Sequence, residues 1–237
     1  MKINYTGRDL EAMSFAKNYH DWILSKFKKF IGHTIAEVGA GSGNFTSLLH
    51  NESVQELIAI EPSHEMYPLL TNKFAQDKKV ICRQTIFADV YTEYIGYFDT
   101  ILYVNVLEHI EDDRKELGYV YKALKTDGYV CLFVPALSWL YTEYDASVGH
   151  HRRYDKYELA MLIESTGFDI VTISYFDILG IVPWFIFFKL FKKKLTANNA
   201  ILYDRIAVPS LRWIESLLSV PIGKNLFVIA RKGGQKS

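Results

Sequence analysis

In the stretch EVGAGSGN, residues 37–44, a glutamate precedes three glycines at alternating positions, Gly39, Gly41 and Gly43. Glycines spaced like this let a backbone come close to a ligand and take positive φ angles that a Cβ would forbid. A dinucleotide cradle needs G-x-G-x-x-G, and Asn44 stands where the third glycine of that pattern falls. A carboxylate at Glu37 aimed into the loop repels a pyrophosphate. It suits a ligand that carries an ammonium and no phosphate. The loop is thus expected to cradle an amino-acid-like cation through Glu37, Gly39, Ala40, Gly41, Gly43 and Asn44.

Three later positions extend the constellation. Glu61, followed by Pro62, closes a second apolar run, where a carboxylate can accept two ribose hydroxyls. Asp89 and Val90 in FADV follow a third run, where Asp89 can hold an adenine amino group. VNVLEHIEDD, residues 104–113, follows a fourth and offers Asn105, Val106, Glu108 and His109. A second group lies in YDASVGHHRRYD, with Asp145, His150, His151, Arg152, Arg153 and Tyr154. Histidine and carboxylate are general-base types, so Asp145, His150, His151 and Tyr154 are catalytic candidates, with His109 as a weaker one. Two neighbouring arginines are expected to keep a histidine there neutral. Arg152 and Arg153 can fork onto a phosphate or carboxylate of an acceptor. The structural alternative is that the loop only braces itself through Asp145, Asp155 and Glu158.

The elements that must position these residues follow from periodicity. Apolar residues from Asp9 to about Phe30 recur at helical spacing, giving one or two amphipathic helices. HTIAEV, VQELIAIE, KKVICRQ, YFDTILYVNV and GYVCLFVPA read as strands separated by helices such as HEMYPLLTNKFAQ and RKELGYVYKALK, with TDG as a turn. FDIVTISYFD and KNLFVIARK are the last two strands. This alternation predicts an α/β, doubly wound, mostly parallel sheet whose carboxyl edge gathers the residues above. The 237 residues suffice for one such domain: helices over 1–30, a core over 31–135, an acceptor loop over 136–155, an apolar insertion over 178–222 and a last strand over 224–232.

With these motifs in order, the chain resembles the class I S-adenosylmethionine-dependent methyltransferases: EVGAGSGN, AIEPS, FADV, FDTILYVNVLEHIEDD and LKTDGYVCLFVPA carry the likeness. It implies a Rossmann-like sheet of seven strands with the last antiparallel. The implied cofactor is S-adenosyl-L-methionine, converted to S-adenosyl-L-homocysteine. Glu37 and the glycines would hold its methionine part, Glu61 the ribose, and Asp89 with its neighbours the adenine. Asn105 and Val106 would flank the sulfonium. Glu37 stands where many relatives have aspartate. NYHDWI, with Tyr19 and Trp22 as candidate acceptor contacts, and DASVGHHRRYDKYEL look like a bacterial subgroup of the type 11/12 kind. Its members often occur beside glycosyltransferases of lipid-linked or surface sugar assembly. The implied reaction is methyl transfer to O or N of a small-molecule, sugar or lipid-linked acceptor. The competing readings are a non-catalytic scaffold of the same fold and another nucleotide-cofactor enzyme.

Composition narrows the partners. Twenty-seven basic residues balance 27 acidic ones, which argues against a nucleic-acid partner. Cys82 and Cys131 lie in apolar runs and read as buried thiols in a reducing compartment, with no metal-ligand cluster. The polar N-terminus lacks a signal core, so a cytoplasmic location is expected. ILGIVPWFIFFKLFKKK, residues 178–194, is too short and too interrupted by Pro183 to span a bilayer. Its three readings are a peripheral contact with the inner face of the cytoplasmic membrane, a lid over the acceptor, and a dimer face. The chain is expected to be a monomer or a homodimer.

Overall fold

The computed structural model describes residues 17–50, 52–190, 204–205, 208–217 and 220–233. The part of the expected N-terminal helix before Lys17, the Lys192–Lys194 cluster and much of the amphipathic segment after it lie outside these.

Seven strands form one sheet: β1 (Thr34–Val38), β2 (Glu56–Ile60), β3 (Val80–Arg83), β4 (Phe98–Val104), β5 (Leu124–Pro135), β6 (Phe168–Phe176) and β7 (Asn225–Lys232). Their spatial order is β3-β2-β1-β4-β5-β7-β6. β7 runs antiparallel to both β5 and β6, while the other pairings are parallel. The chain reverses its direction of winding between β1 and β4, and open sheets of this kind bind ligands at that switch point.

The described helices are α1 (Lys17–Phe27), α2 (Asn44–His50), α3 (Tyr67–Lys73), α4 (Phe87–Val90), α5 (Asp113–Ala123), α6 (Glu143–Ser147), α7 (Lys156–Ser165), α8 (Ile181–Trp184) and α9 (Val208–Leu217). Side chains alternate across a strand, so each strand feeds two cores. Ile35, Leu57, Leu102 and Phe133 pack with Tyr19, Trp22, Phe27 and Leu49 of the α1 and α2 layer. Ala36, Ile58, Ile101 and Leu132 pack with Leu117, Val120, Leu159 and Ile163 of α5 and α7 on the other face.

Three local expectations change. TDG does not end a helix before a separate strand: β5 begins at Leu124, and Lys125–Gly128 bulge out between the pairs Phe98–Leu124 and Thr100–Tyr129. FADV is the short helix α4. The aromatic stretch after Pro135 is not plain loop, because a 3-10 turn at Ser138–Leu140 and helix α6 organise it.

Trp22, expected as an acceptor contact, is 1% exposed, with its ring centroid 3.8 Å from that of Phe176. It serves as a core side chain. Trp22→Ala is therefore expected to lower the unfolding free energy by about 3–5 kcal/mol. Denaturant unfolding checks the loss, with ligand affinity of the folded fraction unchanged.

Candidate active site

The glycine loop leaves β1 at the switch point and is tied down before any ligand arrives. The backbone N–H groups of Gly39 and Ala40 both donate to the Ile60 carbonyl, at 2.8 and 3.0 Å. Gly41 N–H donates to Glu61 Oε2 at 2.7 Å, and Ser63 N–H to Glu61 Oε1 at 2.7 Å. Glu61 thus fastens the loop after β1 to the loop after β2. Gly39 has φ of 74°, and a Cβ there would lie 2.4 Å from Val106 Cγ2. A Cβ on Gly43, with φ of 80°, would meet Leu70 and Phe74 within 2.9 Å. Both positions exclude any side chain.

Glu37 is 3% exposed beneath this loop, and its Oε2 has no hydrogen-bond partner. Burial is the main cause that drives its carboxyl up to about 8; the Thr46 hydroxyl opposes the rise and the Glu61 charge adds to it. A buried acceptor without a donor costs free energy, so this oxygen is poised for a cation.

The loop opens on a cavity of about 150 Å³ lined by Glu37, Gly39, Ala40, Gly41, Asn44 and Asn105 on one side. Asn105 adopts φ of 54°, a left-handed turn that asparagine tolerates. The other side is lined by Tyr19, His20, Glu108, Tyr144, His150 and Trp184, with Arg153, Lys224 and Asn225 nearby in the wall. Val106 packs under Gly39. Gly43, Glu61, Pro62, Asp89 and Val90 do not line the cavity: Val90 is in the core, and Asp89 lies exposed on α4.

The loop after β5 divides sharply. Asp145, fully buried, caps α6 by accepting from Thr142 N–H and Oγ1 at 2.8 and 2.9 Å. It also pairs with Arg153 at 2.8 Å and holds His150 Nδ1 at 3.2 Å. Of the loop's catalytic candidates, His150 lines the cavity and Asp145 stands behind it. Tyr154 faces inward, donating to Leu107 O and Asp113 Oδ2 at 3.2 and 3.0 Å, and burial pushes its phenol far up. Arg152 pairs with Asp113 at 2.7 Å. His151 donates its backbone N–H to Glu108 O at 2.8 Å and is exposed. These three therefore brace the loop. Arg153 is stacked 4.4 Å from the Trp184 ring.

The expected neutral histidine changes identity. Burial disfavours charge on His150, but the Asp145 hydrogen bond and the charges of Glu108 and Asp145 outweigh it and raise its pKa above 6.5. His109 is lowered to about 3, chiefly by burial and then by His150. His20, on α1, is lowered to about 4 by burial.

The roof is the apolar insertion. Trp184 and Phe188 pack against Tyr144 at 5.7 and 4.6 Å between ring centroids. Lys189 Nζ donates to Trp139 O. Asp204 accepts from the backbone N–H groups of Asn18 and Tyr19 at 3.2 and 2.8 Å. Glu215 accepts from Asp177 and Ile178 N–H at 3.2 and 2.9 Å. Asp177 in turn pairs with Lys224 at 3.0 Å and accepts from Tyr19 OH at 3.1 Å. His20, Tyr144, Lys224 and Asn225 escaped the sequence reading because they meet only through this folding-back. Trp184, within the apolar run, lines the cavity.

Two outcomes are expected. Asp145→Ala leaves Arg153 buried without its carboxylate and costs about 3–5 kcal/mol of stability, read by denaturant unfolding. For Glu37 the folded-state pKa lies above its unfolded value, so the folded protein keeps a proton that the unfolded chain has released between about 4.5 and 8. Stability of the ligand-free protein therefore falls as pH rises through that window. Glu37→Gln removes this slope and is a few kcal/mol more stable than wild type at about pH 8, which urea titrations at the two ends of the window measure.

Among known proteins, residues 16–173 match a family model described as a methyltransferase domain. No curated protein sequence matches the chain. Solved structures share the fold at low identity. A chain of the complex between the Haloferax volcanii Trm112 methyltransferase activator and a methyltransferase is 13% identical, with TM-score 0.67 over 97% of this chain and 95% of that one. A SAM-dependent methyltransferase from Archaeoglobus fulgidus is 17% identical, with TM-score 0.61 over 94% and 99%. The Burkholderia thailandensis 1,6-didemethyltoxoflavin-N1-methyltransferase, with bound 1,6-didemethyltoxoflavin and S-adenosylhomocysteine, is 16% identical, with TM-score 0.59 over 96% and 83%. The family match spans about two thirds of the 237 residues, and with the seven-stranded sheet and its glycine loop it shows that the chain belongs to the methyltransferase-domain family.

Proposed function

We propose that the protein is an S-adenosyl-L-methionine-dependent methyltransferase acting at O or N of a small-molecule or lipid-linked acceptor. The observation that carries this reading is the buried, unpartnered Oε2 of Glu37 under a loop that excludes side chains at Gly39 and Gly43. That arrangement fits the α-ammonium and the adjoining backbone-like atoms of the cofactor's methionine part. Gly41, Ala40 and Asn44 would complete the cradle. Glu61, which already fixes Gly41, would stand on the ribose side of the loop beside Pro62, and Asp89, exposed on α4, would face the adenine, with Val90 packed in the core behind it. Asn105, Val106 and Glu108 would flank the sulfonium.

When bound, S-adenosylmethionine supplies a methyl group already activated on sulfur, so the chain's task is alignment and proton removal. Tyr19, Tyr144 and Trp184 enclose the acceptor side and limit water. His20, held neutral by burial, is able to accept the acceptor's proton. Asp145 fixes the orientation of His150 beside the same space. For a lipid-linked acceptor, support comes from the outward face of the roof. Leu179, Val182, Phe185, Ile186 and Leu190 are each at least 37% exposed, and they belong to the same insertion as Trp184, which lines the cavity. No helix among the described residues is long and apolar enough to cross a membrane.

Calorimetric titration tests the cofactor. S-adenosylmethionine and S-adenosylhomocysteine bind with micromolar Kd, NAD does not, and Glu37→Ala weakens both sulfur ligands by at least about 100-fold, the loss of a buried charged contact. Wild-type protein that is folded yet silent toward both ligands removes the reading. Flotation with anionic liposomes tests the roof: binding that is lost in Phe185→Ser/Leu190→Ser supports a lipid-linked acceptor, and no flotation rejects it.

A further inference from the structure

Behind the acceptor space, Glu108, His109 and His150 converge. One donor atom of each lies within 4.8 Å of the other two. His150 Nε2 is 3.9 Å from Glu108 Oε1. The two imidazoles stand edge to face, with centroids 4.6 Å apart and planes at 83°. Only the fold brings this cluster together, since 41 positions separate His109 from His150.

The surroundings set both rings for ligation. His150 Nδ1 faces Asp145 Oδ1 at 3.2 Å, and His109 Nδ1 faces the Gly149 carbonyl at 3.2 Å. Both partners are oxygens that only accept, so each ring in its neutral form carries its proton on Nδ1 and presents the Nε2 lone pair. Histidines that bind metals are held in this way by a carboxylate or carbonyl on the second nitrogen. Asp145 is itself locked by Thr142 and Arg153. Glu108 and Asp145 both act on His150, so the two carboxylates and the two imidazoles form one polar cluster.

We propose that Glu108, His109 and His150 form a binding site for a divalent transition ion of the zinc class. Two imidazole nitrogens and one carboxylate oxygen make a set that holds catalytic zinc, and one that magnesium and calcium do not favour. Ligand distances of about 2.0–2.2 Å bring donors to roughly 3.4 Å apart, so the three side chains draw together by roughly an ångström. Glu108 and His150 both line the cavity, which leaves the open coordination positions on the acceptor side. There the ion would hold the acceptor hydroxyl or amine and lower its pKa. The acceptor's proton passes to a neighbouring base or water, its O–C or N–C bond forms as the S–CH3 bond breaks, and the sulfonium becomes a neutral thioether. This use of the ion rests on the methyltransferase reading, whereas the binding site itself does not.

The test uses the full chain, treated with chelator and dialysed. Zn2+ is titrated against a chromophoric chelator and Co2+ is followed by visible absorption. One equivalent of Zn2+ binds with micromolar or tighter Kd. His109→Gln and His150→Gln each weaken it by about 100-fold or more, and Asp145→Asn weakens it by about 10–100-fold. Should a variant fail to fold, X-ray absorption on zinc-loaded wild type decides, with two imidazoles in the coordination shell as the expected result. Folded wild type that takes up no stoichiometric Zn2+, or a shell without two imidazoles, overturns the proposal. Titrating the same samples with S-adenosylhomocysteine separates the two claims. Cofactor binding without zinc removes the metal site alone, and zinc without cofactor binding removes the methyltransferase reading and leaves the metal site.

Discussion

A carboxyl group buried at the penultimate residue of β1, an interior strand, governs this molecule. Glu37 sits between Ala59 of β2 and Leu102 of β4 in the sheet register, so its backbone cannot move to find solvent. The glycine loop covers it from above. Such a placement destabilises the ligand-free protein. The rest of the switch point is built to tolerate it: the loop hangs on the Ile60 carbonyl, Glu61 locks Gly41, and Val106 fills the space that Gly39 leaves open. The loop is therefore held in place over a carboxyl group that burial keeps from ionising at its ordinary pH.

The opposite wall is held by a second polar framework made from distant parts of the chain. Asp145 organises α6, Arg153 and His150, while Asp177, Asp204 and Glu215 fasten the insertion to the start of α1 and to the end of β6. Trp184 and Tyr144 then close over the cavity as an apolar surface. Carboxylates such as Glu37 and Glu108 and aromatic rings such as Tyr19, Tyr144 and Trp184 together line the cavity.

The succession of strands along the chain and the glycine loop could be read from the sequence because they depend on local signals: β-branched runs, glycine spacing and carboxylates at strand ends. His150 beside the cavity could be read too, since it follows the fifth strand. The division of labour within its loop could not. Whether Tyr154 faces the cavity or Asp113, and whether Arg152 meets a ligand or Asp113, depends on how α5 packs, which no short stretch encodes. Trp22 looked like a binding aromatic, but its place on α1 faces Phe176. His20, Lys224 and Asn225 join the site only because β7 and the insertion return to α1 from some 200 residues away. The sign of the His150 shift follows from geometry that sequence neighbours do not reveal: burial and Arg153 are outweighed by the hydrogen bond to Asp145, then the charge of Glu108.

The most direct test of this account is proton release on cofactor binding at about pH 7. Binding enthalpies of S-adenosylhomocysteine are measured in buffers of different ionisation heat. With its pKa raised to about 8 by burial, Glu37 holds most of a proton at pH 7, and if it ionises against the ligand's ammonium the slope should show a proton, close to one per site, passing to the buffer. Tight binding with no proton release would mean that Glu37 is already ionised or does not meet the ammonium, and the central claim would be wrong.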